Sequence, residues 1–231
     1  MINKIKHDIQ RLANPQKAKT QANFFKTGKC HYGEGDVFIG VTVPEQRIIA
    51  KKYESLSLND LQNLLLSKIH EHRLIALLIL VNKYIKSGEN AKKQIVNFYL
   101  KNSKNINNWD LVDSTADKIL GKYFLNKDKS PLYKLAKSEN LWERRISIIS
   151  TFAFIRNNEF YDTFKISEIL LNDGHDLIQK AVGWMLREVG KRNQKAEEQF
   201  LKKHYKKMPR TMLRYAIERL DKEKREFYMK R

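Results

Sequence analysis

Apolar residues recur along the chain at helical spacing, and sustained alternation of apolar and polar residues is almost absent. This pattern predicts a protein that is nearly all helix. Several predicted ends carry helix stop or start signals, such as Asn14-Pro15, Ser87-Gly88 and Asp173-Gly174. The predicted helices cover residues 2–13, 15–27, 44–55, 58–69, 71–87, 90–103, 109–125, 130–138, 140–157, 160–172, 174–192, 195–207 and 210–229.

The segment Gly28–Pro44 departs from the helical pattern. It is rich in glycine and surrounds the short apolar stretch Val37–Ile39. We predict an ordered loop between two helices. Its glycines do not have the spacing of a dinucleotide-binding fingerprint, and no predicted strand precedes them.

The longest apolar run, Leu74–Val81, is too short to span a bilayer and predicts a buried helix. The N-terminal residues are charged and amphipathic and lack the apolar core of a signal peptide. Cys30 is the single cysteine, so no intrachain disulfide can form. These features lead us to expect a cytoplasmic protein that does not insert into a membrane.

A weak internal repeat relates the segments Glu71–Leu78, Glu143–Ile149 and Ile178–Trp184. Their spacing gives a period of about 36 residues, which is typical of helix pairs stacked in a HEAT-type solenoid. We therefore predict an all-α fold, a curved solenoid of antiparallel helix pairs that forms one domain over residues 1–231.

The repeat also predicts which side chains share a surface. Arg145 lies 72 residues after Arg73, and Lys180 lies 35 residues after Arg145. We expect Arg73, the Trp109 helix, Arg145 and the Trp184 helix to line the concave side in that order. Arg73 and Lys180 thus become candidate DNA-binding residues.

The charge of the chain indicates a polyanionic partner. Lys and Arg number 45 against 26 Asp and Glu, which gives a formal net charge of +19. Such an excess suits phosphate backbones or an anionic membrane surface. The basic residues are spread through the predicted helices, and the 42% hydrophobic content is sufficient for a folded core.

Trp109 and Asp113 are four residues apart, which places them on one face of a helix. A carboxylate beside an indole suits a site where positive charge develops on a sugar as an N-glycosidic bond breaks. Spacing alone leaves a second interpretation open, in which Asp113 is an exposed helix residue next to a core tryptophan.

Trp184 and Arg187 also share a helix face, and Gly183 beside them permits close approach of a ligand or another helix. The alternative is a core tryptophan and a surface ion pair. Of the adjacent Arg144 and Arg145, only one can face a given phosphate, and the repeat favours Arg145.

The sequence gives little support for a metal or a cofactor. His70 and His72 cannot share a helix face, and a His-Glu-x-x-His motif is absent. Cys30-His31 has no evident third ligand. We expect neither a metal site nor a cofactor.

Several separated motifs together resemble the bacterial DNA alkylation repair glycosylases of the AlkD-like, HEAT-repeat family. The Trp-Asp-x-Val-Asp and Gly-Trp-x-Leu-Arg-Glu elements are the most specific of them. The motifs are Phe38–Val41 with Pro44–Arg47, Trp109–Asp113, Trp142–Arg145 and Gln179–Glu188.

The resemblance implies an enzyme that removes cationic alkylated purines, typically 3-methyladenine and 7-methylguanine, from duplex DNA. It implies a monofunctional glycosylase that grips the backbone and leaves the base stacked, and we expect it to act as a monomer. No lysine is singled out as a Schiff-base nucleophile. The site residues implied by the resemblance are the catalytic acid Asp113, the sugar-contacting Trp109 and Trp184, the backbone-binding Arg145 and Arg187, and Phe24, where the family often has tyrosine.

Two other functions compete with this one. A HEAT-type module that binds nucleic acid without catalysis explains the charge and the repeat but gives Asp113 no role. A protein-interaction scaffold is a common use of helical repeats, and it predicts an apolar concave stripe instead of a basic one.

Overall fold

In the computed structural model, residues 1–230 are described and fall into two compact units. The first unit is Met1–Thr115, and the second begins at Ala116. Residues 1–230 contain helices and no β-strand, apart from one isolated backbone bridge between Val37 and Ile69. The all-α prediction is confirmed, and the helical architecture agrees with an α-solenoid. The grouping of both units into one domain stays a prediction.

The first unit is built from seven α-helices joined by short connections and one long loop. Its helices are α1 (Ile2–Gln10), α2 (Pro15–Phe24), α3 (Val43–Lys52), α4 (Leu58–Leu65), α5 (His70–Lys86), α6 (Glu89–Lys101) and α7 (Trp109–Asp113), with a 3-10 turn at Ser103–Asn105.

The second unit starts with a π-helical turn at Asp117–Gly121 and continues in α-helices. These are α8 (Lys122–Phe124), α9 (Ser130–Ala136), α10 (Leu141–Ser150), α11 (Phe152–Arg156), α12 (Tyr161–Ile169), α13 (Asp176–Gly190), α14 (Gln194–His204), α15 (Arg210–Ala216) and α16 (Lys222–Met229), with a 3-10 turn at Ile217–Arg219.

Helix α5 forms the centre of the first unit. The apolar run Leu74–Val81 is buried along its whole length, as predicted. The helix packs against α3, α4 and α6. Each fully buried leucine or isoleucine stabilises the fold by about 1.5–3 kcal/mol relative to an exposed one, so this run anchors the neighbouring helices.

The loop between α2 and α3 is ordered, as predicted, and Glu71 holds it. Glu71 is fully buried, and its Oε1 accepts hydrogen bonds from the backbone N–H groups of Ile39 (3.0 Å), Gly40 (2.8 Å) and Val41 (3.3 Å). Gly40 has a φ of +87°, and a Cβ there would lie 2.1 Å from the carbonyl oxygen of Asn14. The loop therefore needs glycine at this position and a buried acceptor beneath it.

Helices α5, α10 and α13 begin with the same capping arrangement. A Ser or Asp side chain accepts from the backbone N–H of the N-cap residue two positions later. The side chain six positions after that Ser or Asp donates a hydrogen bond to the backbone carbonyl oxygen of the same Ser or Asp. These pairs are Arg73 to Ser67, Arg144 to Ser138, and Gln179 to Asp173.

This shared arrangement corrects the repeat register. Arg144, and not Arg145, is the counterpart of Arg73, so the separation of equivalent positions is 71 residues and the prediction was wrong by one. The cause is that the side-chain cap, and not the apolar pattern, sets where each helix starts. Counted from the helix starts, the fifth residues of α5, α7, α10 and α13 are Leu74, Asp113, Arg145 and Lys180.

Three predicted long helices are interrupted. The predicted helix 140–157 is divided at Thr151 into α10 and α11. The predicted helix 109–125 is divided by the π-helical turn Asp117–Gly121, where a Cβ on Gly121 would lie 2.3 Å from the carbonyl oxygen of Ser150. The predicted helix 210–229 ends before Asp221, whose side chain accepts from the backbone N–H of Lys224 and starts α16. A close backbone contact and a local cap override helical propensity in the last two of these places.

Among residues 1–230, no helix combines the length and the apolar character that crossing a bilayer requires.

Substitution of Gly183 tests the packing of α13 on α15. A Cβ at this position would lie 2.4 Å from the carbonyl oxygen of Met212 and 2.5 Å from the Cβ of Tyr215. We expect Gly183→Ala to destabilise the protein by about 1–3 kcal/mol, because the helices must separate. Urea unfolding measures the change. Gly174→Ala is the control, since its Cβ meets nothing within 4 Å, and equal stability of the two variants would contradict the close approach.

Glu197 on α14 gives the second unit a pH-dependent stability. The side chain is buried, and burial followed by the charge of Glu198 raises the pKa of its carboxyl to about 8. A raised pKa means that the stability is full below the unfolded value near 4.5 and is lost as the pH rises through about 8. Its Oε1 has no hydrogen-bond partner among the described residues.

Glu197→Gln removes the ionisation and therefore that loss. We expect its melting temperature to equal or fall below that of the wild type at pH 4.5, to gain on it up to about pH 8, and to keep a constant difference above that pH. Glu159→Gln, at an exposed position of the same unit, is the control and should follow the wild type. A melting-temperature difference that stays constant with pH would show that Glu197 is ionised in the folded protein throughout the range.

Candidate functional site

The indole of Trp109 lies at the first residue of α7 and is held on several sides. Asn108 caps the helix, and its Oδ1 accepts from the backbone N–H of Trp109. The indole Nε1–H donates to the hydroxyl of Tyr32 at 3.3 Å. Phe25 stacks on the indole with ring centroids 5.0 Å apart and planes inclined by 19°. The tryptophan is thus fixed by residues of the α2–α3 loop region.

The stack continues beyond Phe25. The ring of Phe25 lies 4.9 Å from that of Phe38, which in turn lies 4.4 Å from the imidazole of His70. Trp109, Phe25, Phe38 and His70 therefore form one continuous row of rings, which we call the aromatic row. It joins the loop to α5 and α7 within the first unit.

Phe24 lies at the edge of this row. Its ring is 5.8 Å from that of Trp109 at an interplanar angle of 73°, and the residue is 64% exposed. Exposing a phenylalanine ring to water is unfavourable, and a ligand that covers the ring removes that free-energy cost. The structure brings together Phe24 and Trp109, two predicted site residues that are far apart in sequence. The predicted role of Phe24 at DNA stays a prediction.

Asp113 is the last residue of α7 and is half-buried. It lies one helical turn after Trp109, as their spacing predicted. Its helix has only five residues, so few intrahelical hydrogen bonds hold it in place. The start of α7 therefore contributes to the position of its carboxylate.

A buried network of charged residues fixes that start. His70 Nε2 is 2.8 Å from Asp110 Oδ2, and His70 Nδ1 is 3.2 Å from Asp36 Oδ2. Asp36 also accepts from Arg73 Nη2 at 2.6 Å and from Asn108 Nδ2 at 3.2 Å. We call these five residues the polar clamp. It links the loop, α5 and α7.

The clamp shifts the protonation of its members. Burial by itself lowers the pKa of His70, but the charge and hydrogen bond of Asp110 and the hydrogen bond of Asp36 outweigh it, so the pKa of His70 is raised above 6.5. Burial likewise raises the pKa of Asp36, but the hydrogen bond to His70 and the charge of Arg73 bring that pKa below 3.8. Below the pKa of His70, two cations therefore face two carboxylates.

Arg73 is a structural residue in this arrangement. It is 4% exposed, and its guanidinium donates to Asp36 and to the carbonyl oxygen of Ser67. The fork that phosphate recognition requires is already engaged inside the protein. These hydrogen bonds give Arg73 a role in holding the loop, and its DNA contact stays a prediction.

The second unit holds the other predicted residues. The indole Nε1–H of Trp184 donates to Glu188 Oε1 at 3.1 Å, and its ring lies 5.8 Å from that of Phe152. The guanidinium of Arg156 stands 3.9 Å above the ring of Phe152 and pairs with Asp117 at 2.6 Å. Phe152 and Arg156 are not among the predicted site residues. The only signal for them in the sequence is the spacing of an aromatic residue and an arginine one helical turn apart.

The space beside Gly183, next to Trp184, is filled by the backbone of α15 and not by a ligand. This settles the two options that its sequence position left open.

The predicted basic residues of this unit differ in exposure. Arg145 is buried, and its Nη1 donates to the carbonyl oxygen of Leu177. Arg187 has a side chain that is 18% exposed and pairs with Glu218. Lys180 is 38% exposed and pairs with Asp176, one turn earlier on α13, at 2.6 Å. Of the three, Lys180 presents its charge to solvent most freely. Their DNA contacts stay predictions.

Residues 1–230 contain no group of three or more His, Cys, Asp or Glu side chains arranged to hold a metal ion.

Comparison with known proteins gives the family. The model of a family described as "DNA alkylation repair enzyme" matches residues 5–220. A solved structure, a predicted DNA alkylation repair enzyme from Enterococcus faecalis, is similar with a TM-score of 0.69 and 18% identity, over 91% of this chain and 97% of that chain. That likeness shows a shared fold. No curated protein matches the sequence. Because the family model spans nearly the whole chain, the chain belongs to the DNA alkylation repair enzyme family.

Proposed function

We propose that this protein is a monofunctional DNA glycosylase that hydrolyses the N-glycosidic bond of cationic alkylated purines, such as 3-methyladenine and 7-methylguanine, in duplex DNA. The observation that carries the proposal is the pairing of Asp113 and Trp109 on α7, with the indole fixed by Phe25 and Tyr32. Membership of a DNA alkylation repair family supports it. We also propose that it acts as a monomer in the cytoplasm.

The chemistry matches these groups. An N-alkylated purine carries positive charge and is already a good leaving group, so little acid catalysis is needed to expel it. Bond cleavage transfers positive charge to the deoxyribose. A carboxylate at Asp113 stabilises that charge and orients the attacking water. The electron-rich face of an indole attracts the same cation.

The remaining roles are proposed from the resemblance to the AlkD-like family and from the repeat. We assign Trp109 and Trp184 to the sugar, and Phe24 to an apolar contact with the nucleotide. The phosphates are bound by Arg145, Arg187 and Lys180. Each of these cations releases condensed counterions and adds affinity without sequence preference. The damaged base remains stacked in the duplex, and its charge supplies the selectivity. The competing functions are a nucleic-acid-binding module without catalysis and a protein-interaction scaffold.

Asp113→Asn tests the catalytic assignment. We expect single-turnover release of 7-methylguanine from methylated duplex DNA to fall by roughly 10²–10³-fold, because the amide removes the negative charge that faces the sugar cation. DNA binding should change little. High-performance liquid chromatography of the released base measures the rate, and fluorescence anisotropy measures the affinity.

The matched control is Asp128→Asn, an exposed carboxylate of the α8–α9 connection, which should release base at the wild-type rate. Equal rates for wild type and Asp113→Asn would remove Asp113 from the mechanism. Tight, salt-sensitive binding with no base release by any form would favour the binding module, and no binding at all would favour the scaffold.

Lys180→Ala tests the backbone contacts. We expect the slope of log affinity against log salt to become shallower by about one, because one fewer phosphate is neutralised. The loss of affinity should be the same for methylated and unmethylated DNA. Lys222→Ala, whose side chain is 83% exposed, controls for the general loss of charge. If both variants shift the slope equally, Lys180 makes no specific phosphate contact.

A further inference from the structure

We propose that His70 is a positioning residue, which as an imidazolium bridges Asp36 and Asp110 and thereby sets the geometry of Trp109 and Asp113 on α7. This inference rests on the proposed glycosylase function for its kinetic part only.

By itself, α7 is only weakly stable as a helix. The start of α7 lacks the two-part cap that opens α5, α10 and α13 among the described residues: the position two before its N-cap is Ile106, which has no side-chain acceptor. A five-residue helix contributes little stability by itself. Beside the Asn108 cap, its start is held from outside, by Asn108 bonding to Asp36 and by Asp110 bonding to His70.

Both ring nitrogens of His70 face carboxylates. A neutral imidazole carries a single N–H and can donate to only one of them. The protonated ring donates to both, from Nδ1 to Asp36 and from Nε2 to Asp110. The bridge that His70 makes from Asp36 of the loop to Asp110 of α7 therefore requires the protonated ring.

Two routes of contacts connect His70 with Trp109. From Trp109 the aromatic row leads through Phe25 and Phe38 to His70, and from His70 the hydrogen bond to Asp110 returns to the residue next to Trp109. A change at His70 reaches the indole from both directions. The carboxylate of Asp113 lies one turn beyond Asp110 on the same helix.

The charged groups that face His70 are few. They are Asp36 from the loop, Asp110 from α7 and Arg73 from α5 itself, and the remaining faces meet the rings of Phe25 and Phe38. The two carboxylates outweigh burial and Arg73, so the pKa of His70 lies above 6.5. The bridge is present below that pKa and is lost as the pH rises through it.

The test begins with wild-type protein and needs no substrate. Indole and imidazole NMR resonances are followed from pH 6 to pH 9.5. The Trp109 indole N–H is assigned with Trp109→Phe, and the His70 ring with His70→Gln. We expect the Trp109 resonance to move with the same midpoint as the His70 ring. A Trp109 resonance that ignores the His70 titration would overturn the proposal.

Asp110→Asn separates positioning from a merely structural role. The amide oxygen still accepts from Nε2, but the negative charge is gone, so the His70 midpoint should move down by about one pH unit. In the wild type we expect kcat for base release to fall as the pH rises through the His70 midpoint, with little change in KM; we call this fall the alkaline limb. In Asp110→Asn the limb should move to lower pH together with the His70 midpoint. An unmoved midpoint, or an alkaline limb that stays at the wild-type pH, would overturn the proposal.

Two further variants complete the design. His70→Gln is expected to lower kcat on the order of tenfold to a hundredfold below the His70 midpoint, where the wild type has the bridge, because misplacement of about an ångström has effects of that size. Above that midpoint its kcat should match that of the wild type, so the alkaline limb disappears. His72→Gln is the matched control. It alters a second buried histidine of the same helix, whose pKa burial lowers to about 4, and should leave the limb in place.

The outcomes keep the two claims apart. If the indole follows His70 but no form releases base at any pH, the glycosylase proposal fails and the positioning device stands. If base is released and the alkaline limb is the same in wild type, Asp110→Asn and His70→Gln, the glycosylase proposal stands and this inference fails.

Discussion

The first unit depends on the burial of Glu71. A loop that crosses the protein interior must find partners for its backbone N–H groups, since each one left unpaired costs about 1–3 kcal/mol. The Oε1 of Glu71 accepts from three consecutive N–H groups, on either side of the left-handed Gly40. Because this carboxylate lies on α5, the loop is tied to the most buried helix of the unit. Phe38 and Asp36 are thereby brought against His70.

The polar clamp illustrates how buried charges act in such a unit. A single buried ion would be strongly unfavourable, but two cations and two carboxylates with shared hydrogen bonds compensate one another. Apolar residues of the same volume would fill the space as well, but they would not fix direction. The hydrogen bonds give α7 a defined start, which its own short length cannot supply.

Equivalent helix positions, counted from the helix starts, carry different chemistry. In α7, α10 and α13 the fifth residue is Asp113, Arg145 or Lys180, whereas α5 has the buried Leu74 there. One position of the repeat thus carries a carboxylate in one helix and a cation in two others. A solenoid repeat allows this because the backbone frame is set by caps and core residues, which leaves this position free to vary.

The sequence by itself determined the helical class, the buried run Leu74–Val81, the ordered glycine loop and the shared helix of Trp109 and Asp113. All of these follow from local periodicity and turn chemistry, which act within a few residues. Only the tertiary structure decided that Arg73 is internal, that Arg144 is its repeat counterpart, and that Asp36, His70 and Asp110 meet. Those partners are separated by 34 and 40 residues, and hydrogen bonding between side chains so distant leaves no period in a sequence. Packing alone brings such groups together.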